Sequence, residues 1–215
     1  TASNWRPPFG PPIDFDDLTL TAFIDGQKAA IKGIEGHIGR GTFTGSANAS
    51  WGADIRMTGD VSLSNADLGK LLGVFTRDFS AAGTLNLTAT YALQAASLAA
   101  LFDQPRVEAS FSAEKGTLNN VDIVRGIQSP SRDGTRGGKT SFSALAGSLQ
   151  VLGKEYAYRQ LQLTSGPMNA TGTVDVAPDG ELSGRITAEL GTKSVIVARG
   201  GLNVSGNVKS PLLKP

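Results

Sequence analysis

Cysteine is absent from this 215-residue chain and histidine occurs once, as His37. Without thiols there is no disulfide framework, no thiolate metal centre and no cysteine nucleophile. A single imidazole excludes a histidine-based metal cluster. Charge is scarce too. Asp, Glu, Lys and Arg make up 18% of the residues, against about 25% in ordinary globular chains. Twenty basic and 19 acidic side chains leave a net charge of +1, so the chain has no basic stripe for a nucleic-acid backbone. No apolar run approaches the ~18 residues of a membrane-spanning helix. The stretch Thr1–Pro8 has neither the basic nor the apolar region of a signal peptide, and no Met leads it. The sequence therefore reads as a segment of a longer protein whose targeting segment lies upstream. Lack of cysteine is compatible with an oxidising compartment without requiring one.

Glycine is what the chain has in excess, with 27 residues where about 7% is usual. Between the glycines runs a period of two. Ile55, Met57, Gly59, Val61 and Leu63 alternate with Arg56, Thr58, Asp60 and Ser62. Leu85, Leu87, Ala89, Tyr91 and Leu93 alternate with Asn86, Thr88, Thr90 and Ala92, and the pattern returns in Leu161/Leu163, Val174/Val176, Leu182/Ile186 and Leu202/Val204. Successive strand side chains point to opposite faces, so these are strands with one apolar face. Gly-containing breaks, among them Asp25-Gly26, Gly153, Gly166-Pro167 and Pro178-Asp179-Gly180, place turns between them. The expectation is a mainly β fold: an antiparallel curved sheet forming a groove, or a sandwich, of roughly ten to twelve strands. Three segments break the period and read as short helices: Asn65–Phe75, Ala96–Phe102 and Val121–Ile127. Residues 129–140 read as one long polar loop. Strand patterns continue on both sides of that loop, so residues 1–215 are taken as one β-rich domain.

No catalytic constellation emerges. Gly137-Gly138-Lys139-Thr140 resembles the end of a phosphate loop, but the required first glycine would be at 133, which is Asp133, and a strand pattern follows where a helix is needed. The glycines of 33–41 lie between strand patterns and open no helix, so they read as bulges and turns. Asp14, Asp16 and Asp17 lack the remaining ligands of a calcium loop. Ser112-Ala113-Glu114-Lys115 matches a Ser-x-x-Lys box, yet neither companion motif of the serine acyl-enzymes occurs. Nothing near His37 in the sequence supplies the partner that acid–base chemistry requires. Asn-x-Ser/Thr tripeptides at Asn48, Asn86, Asn169 and Asn203 follow from polar strand faces rich in Asn, Ser and Thr. The expectation is a protein without enzymatic activity, cofactor or metal.

The second half carries an ordered set of blocks. They run from Gly116-Thr117-Leu118-Asn119-Asn120-Val121-Asp122-Ile123-Val124, through Gly138–Val151 with its Thr140-x-Phe142-x-x-Leu145, to Leu161–Ser165, Ala170–Val176 and Leu202–Pro211. This order resembles the C-terminal region of the AsmA family of diderm-bacterial envelope proteins. In that family a Thr-x-Phe-x-x-Leu segment precedes a strand, a Gly-x-Gly strand follows, and a strand ending in proline closes the region. Ala170-Thr171-Gly172 departs from the Gly-x-Gly. The likeness covers residues 110–215 by its blocks and 13–75 in style.

The resemblance implies a periplasmic domain tethered to the inner membrane by a segment outside this chain. It also implies a role in phospholipid traffic and outer-membrane homeostasis. An apolar β-groove would serve that role, since each buried CH₂ of an acyl chain contributes about 0.8 kcal/mol. The candidates for contact with a phospholipid or other acyl-chain ligand are Ile55, Met57, Leu85, Leu87, Tyr91 and Leu93; packing in an ordinary core is the competing reading of the same residues. The alternative function is a structural or protein-interaction β-sandwich that engages an envelope protein partner. Alternation alone does not separate an open groove from a closed core.

Overall fold

The computed structural model describes residues 1–8, 10–128, 131–191 and 196–215. Fourteen strands form one antiparallel, curved and unclosed sheet. They are β1 (Ala2–Trp5), β2 (Phe15–Asp25), β3 (Lys28–Ile38), β4 (Gly41–Ser50), β5 (Ile55–Asp67), β6 (Ala81–Ala95), β7 (Arg106–Asn119), β8 (Thr135–Arg136), β9 (Lys139–Leu152), β10 (Glu155–Ser165), β11 (Met168–Val176), β12 (Leu182–Gly191), β13 (Ile196–Asn207) and β14 (Ser210–Lys214). Neighbours in the sheet follow chain order, except that β8 leaves its place between β7 and β9 and pairs with the far edge, β14. The count exceeds the expected ten to twelve because β1, with 4 residues, and β8, with 2, are too short to carry an alternation. The layers are those of one sheet with helices on it, not of two stacked sheets. Among the described residues, no helix is long and apolar enough to cross a membrane.

Two helices interrupt the meander, α1 (Leu68–Phe75) between β5 and β6, and α2 (Ile123–Gln128) after β7; Leu98–Ala100 forms a single 3₁₀ turn. Each helix starts where an Asp side chain can satisfy a free backbone amide. Asp67 accepts from the Lys70 N–H at 2.9 Å, and Asp122 accepts from the Arg125 N–H at 2.9 Å. Buried Thr140 on β9 fixes α2 from the side: its hydroxyl accepts from the Ile123 N–H at 3.1 Å and donates to the Val121 carbonyl at 2.7 Å.

Curvature has a local cause. The ladder slips by one residue at several places, including Leu63/Ala66 between β5 and β6, Ala82/Thr84 between β6 and β7, and Arg159/Gln162 between β9 and β10. At these slips Asn65, Lys115 and Gln160 adopt positive φ values of 57°, 50° and 51°. Such bulges bend the strand and increase its twist. The accumulated bend brings remote segments together. Lys209, after β13, reaches Asp78, just before β6, at 3.5 Å. The polar connection after α2 does not hang free: Arg136 on β8 donates to the Ser210 carbonyl at 2.6 Å. Thus the stretch expected as a loop over 129–140 contains a strand that pins the far edge; its residues 129–130 lie outside the described residues.

The core forms where the helices meet the sheet. Leu85, Ala113, Phe142, Leu163, Met168, Ala170, Ala188, Leu202 and Leu213 are buried in one cluster, with Leu68 and Leu71 of α1 and Val124 and Ile127 of α2 packed against it. α2 touches β9, β12, β13 and β14, so it sits inside the curl of the second half of the sheet. Small residues make room for it, since a Cβ on Gly200 would stand 2.4 Å from the Ile127 side chain.

Candidate functional site: the apolar face of the sheet

The cross-strand registers assemble a single apolar face from strands far apart in sequence. One row runs Leu85–Ala113–Leu145–Leu163–Ala170–Ala188, and the next Leu87–Phe111–Gly147, continuing through Leu161–Gly172–Ile186–Leu202. Further rows hold Ala89–Ala109–Leu149–Tyr158–Val174 and Tyr91–Val107–Val151–Tyr156–Val176. Packing divides this face in two. The first row lies beneath the helices, where Leu85, Ala113, Leu163, Ala170 and Ala188 are all buried. In the other rows burial is mixed: Ala89, Ala109, Val151 and Leu202 are buried too, while Phe111, Leu149, Tyr156, Tyr158, Leu161, Val174, Val176 and Ile186 are half-buried.

All six residues singled out from the sequence lie on this face. Met57 pairs with Leu93, Leu63 with Leu87, Gly59 with Tyr91, Ala66 with Leu85 and Ile55 with Ala95. Their burial differs. Leu85 and Leu93 are buried at 4% and 5% exposure, Leu85 within the cluster beneath the helices, while Ile55, Met57, Leu87 and Tyr91 are half-buried. Phe111, Tyr156 and Tyr158 were not among the expected contacts. Phe111 was legible from its alternation with Val107 and Ala109. The two tyrosines were hidden by the bulge at Gln160, which puts even-numbered Tyr156 and Tyr158 on the same face as odd-numbered Leu161 and Leu163.

Aromatic rings lie over glycines along this face. The Tyr91 ring covers Gly59 and its hydroxyl donates to the Ser46 carbonyl at 3.1 Å. Phe111 lies against Gly147, and Phe142 against Gly116. Phe111 and Tyr158 meet edge to face with centroids 6.4 Å apart, a favoured aromatic geometry. Burial, then the nearby Asp60, pushes the Tyr91 phenol above its ordinary pKa; burial, then Tyr156, does the same to Tyr158. Both therefore hold their protons and act as hydrogen-bonding, apolar-bodied side chains.

The opposite face is polar. Two shallow hollows, of about 340 and 500 Å³, are lined mainly by its side chains: Thr90, Arg106, Glu108 and Gln150 in one, and Phe23, Lys28, Asn48 and Arg56 in the other. His37 has a partner that its sequence neighbourhood did not reveal. Its Nδ1 lies 2.8 Å from the Asp17 carboxylate, set there by the β2–β3 register. Thr42 is next along the row, but among the described residues no hydrogen bond links it to His37. Both members of the pair are about half exposed, and a solvated surface contact of this kind contributes little. Among the described residues, no group of three or more His, Cys, Asp or Glu side chains is placed to hold a metal ion. No protein-family model, no curated protein and no solved structure matches the chain.

Proposed function

We propose that this chain is a non-enzymatic, lipid-handling domain of a diderm-bacterial envelope protein similar to the AsmA family. In this reading it works in the periplasm as part of an inner-membrane-anchored protein and contributes to phospholipid transport and outer-membrane biogenesis. The observation that carries the reading is the divided apolar face: a dry half sealed by α1 and α2, continuous with a half-buried band on an unclosed sheet. An acyl chain laid on that band removes apolar surface from water on both partners, at about 25 cal/mol per Å². Tyr91 and Tyr158 offer a polar tip at the margin of an apolar surface, as amphipathic rings do at lipid interfaces. Leu87, Phe111, Tyr158, Val174 and Ile186 are the contacts assigned to the lipid.

The test is extraction of the purified domain followed by lipid mass spectrometry, with titration of a fluorescent phospholipid. Co-purifying phospholipid and saturable binding are expected. Absence of both would remove the groove function from this chain.

A further inference from the structure

Tyr91 and Tyr158 share the apolar face but use their hydroxyls differently. Tyr91 commits its proton to the sheet, donating to the Ser46 carbonyl at 3.1 Å. The Tyr158 ring packs edge to face on Phe111, and its neighbours across the ladder are Leu149 and Val174. Among the described residues, the one side-chain hydrogen bond at Tyr158 runs from Arg159 to its backbone carbonyl at 3.0 Å, and none reaches its hydroxyl. Nor is that hydroxyl sealed, because among the described residues no fully buried side-chain N or O lacks a partner. An apolar body thus carries a free donor that opens onto the band.

Water serves such a hydroxyl while the band is empty. Hydrocarbon laid over Phe111, Leu149 and Val174 strips that water away, and a covered donor without an acceptor costs about 1–3 kcal/mol. The ligand that suits this position therefore brings its own acceptor oxygen next to its hydrocarbon. Burial, then the nearby Tyr156, holds the phenol above its ordinary pKa, so at neutral pH it remains a donor. Of the two tyrosines on β10, Tyr158 lies further in, since the strand begins at Glu155, one residue before Tyr156.

The surroundings decide which oxygen. The row of Tyr158, and the rows through Phe111 and through Tyr156, hold no charged residue. A carboxylate brought here would lose its hydration with no cation to offset the loss, so a free fatty acid fits poorly. An ester carbonyl is neutral, accepts from the phenol, and stands at the head of each acyl chain of a glycerophospholipid. An ether-linked chain of the same length offers no carbonyl at that position. On the reading that this face binds lipid, we propose that the Tyr158 hydroxyl donates to an ester carbonyl of a diacyl glycerophospholipid and so selects ester-linked over ether-linked chains.

The experiment is displacement of the fluorescent phospholipid by two competitors, dipalmitoyl phosphatidylcholine and its dihexadecyl ether analogue. Wild type should bind the diacyl competitor about fivefold more tightly than the diether. Tyr158→Phe should weaken diacyl binding by that factor, leave the diether where it was, and so erase the preference. Tyr156→Phe should keep the preference. Where Tyr158→Phe fails to fold, the wild-type preference and its survival in Tyr156→Phe carry the test. Equal affinity of wild type for the two competitors, a preference that survives in folded Tyr158→Phe, or one lost in folded Tyr156→Phe would each overturn the assignment of Tyr158 while lipid binding stands. A chain that binds neither lipid would overturn the groove reading itself, and this assignment with it.

Discussion

The hydroxyl of Tyr91 on β6 reaches across Gly59 on β5 to donate to the carbonyl of Ser46 on β4 at 3.1 Å. One side chain thereby spans three strands. The span depends on the missing side chain at Gly59, where a Cβ would stand 2.6 Å from the tyrosine hydroxyl. Replacing Gly59 with Ala forces the ring off the sheet, and overpacking of this kind costs about 1–3 kcal/mol. Tyr91→Phe removes only the hydrogen bond, with a loss of about 1 kcal/mol. Urea unfolding of the two variants should rank them in that order.

Tyr91 and Tyr158 also govern the alkaline limit. Their phenols sit above the ordinary value of 10.0 in the folded chain, chiefly through burial. The unfolded chain releases these protons first, so it binds fewer protons than the fold once pH passes 10 and stability falls from there upward. Below that pH both states hold the protons, and these groups contribute no pH dependence. Thermal melts should show a decline above pH 10 that is shallower in Tyr91→Phe and in Tyr158→Phe.

Substitution by arginine separates core from groove. Leu85 is buried at 4% exposure, and an unpaired charge placed there costs several kcal/mol, enough to abolish folding. Leu87, one row away and half-buried, leaves room for the aliphatic stem of an arginine to lie on the sheet with its head in water. Leu87→Arg should keep its circular dichroism spectrum and melting transition while losing binding of the fluorescent phospholipid. A Leu87→Arg protein that folds and binds lipid as before would remove this residue from the proposed contact surface.

The sealed half should carry the stability. Leu202, at 1% exposure, packs beneath Gly126 of α2, and truncation to Ala at such a site costs about 2–5 kcal/mol. Ile24→Ala, at an edge position 72% exposed, should change stability by no more than about 0.5 kcal/mol. Chemical denaturation compares the two directly.

Much of the fold was legible because strands advertise themselves one residue at a time. The alternation at 55–63 and 85–93 placed β5, β6 and their apolar side chains on one face, where the register puts them. The helices were legible as breaks in that period, with α1 at Leu68–Phe75 and α2 at Ile123–Gln128 inside the expected segments or within a residue of them. β8 was not legible: two residues have no period, and its partner lies in β14, more than 70 residues later. Tyr158 was lost to the same kind of cause. A bulge shifts parity without leaving an apolar or polar signal, and Gln160 at positive φ is an unremarkable residue in the sequence.

The amino-acid sequence by itself determined the strand character, the polar and apolar faces, and a side-chain set with no thiol and a single imidazole. It also supplied the glycines, but not their partners: Gly59, Gly116 and Gly147 gained meaning only when Tyr91, Phe142 and Phe111 were found lying over them. Tertiary structure alone decided which part of the apolar face is dry and which is open. That division rests on where α2 lands, held by Thr140 on one side and by β8 pinned to β14 on the other. Alternation tells each residue which way to point, but burial depends on what the rest of the chain brings over it.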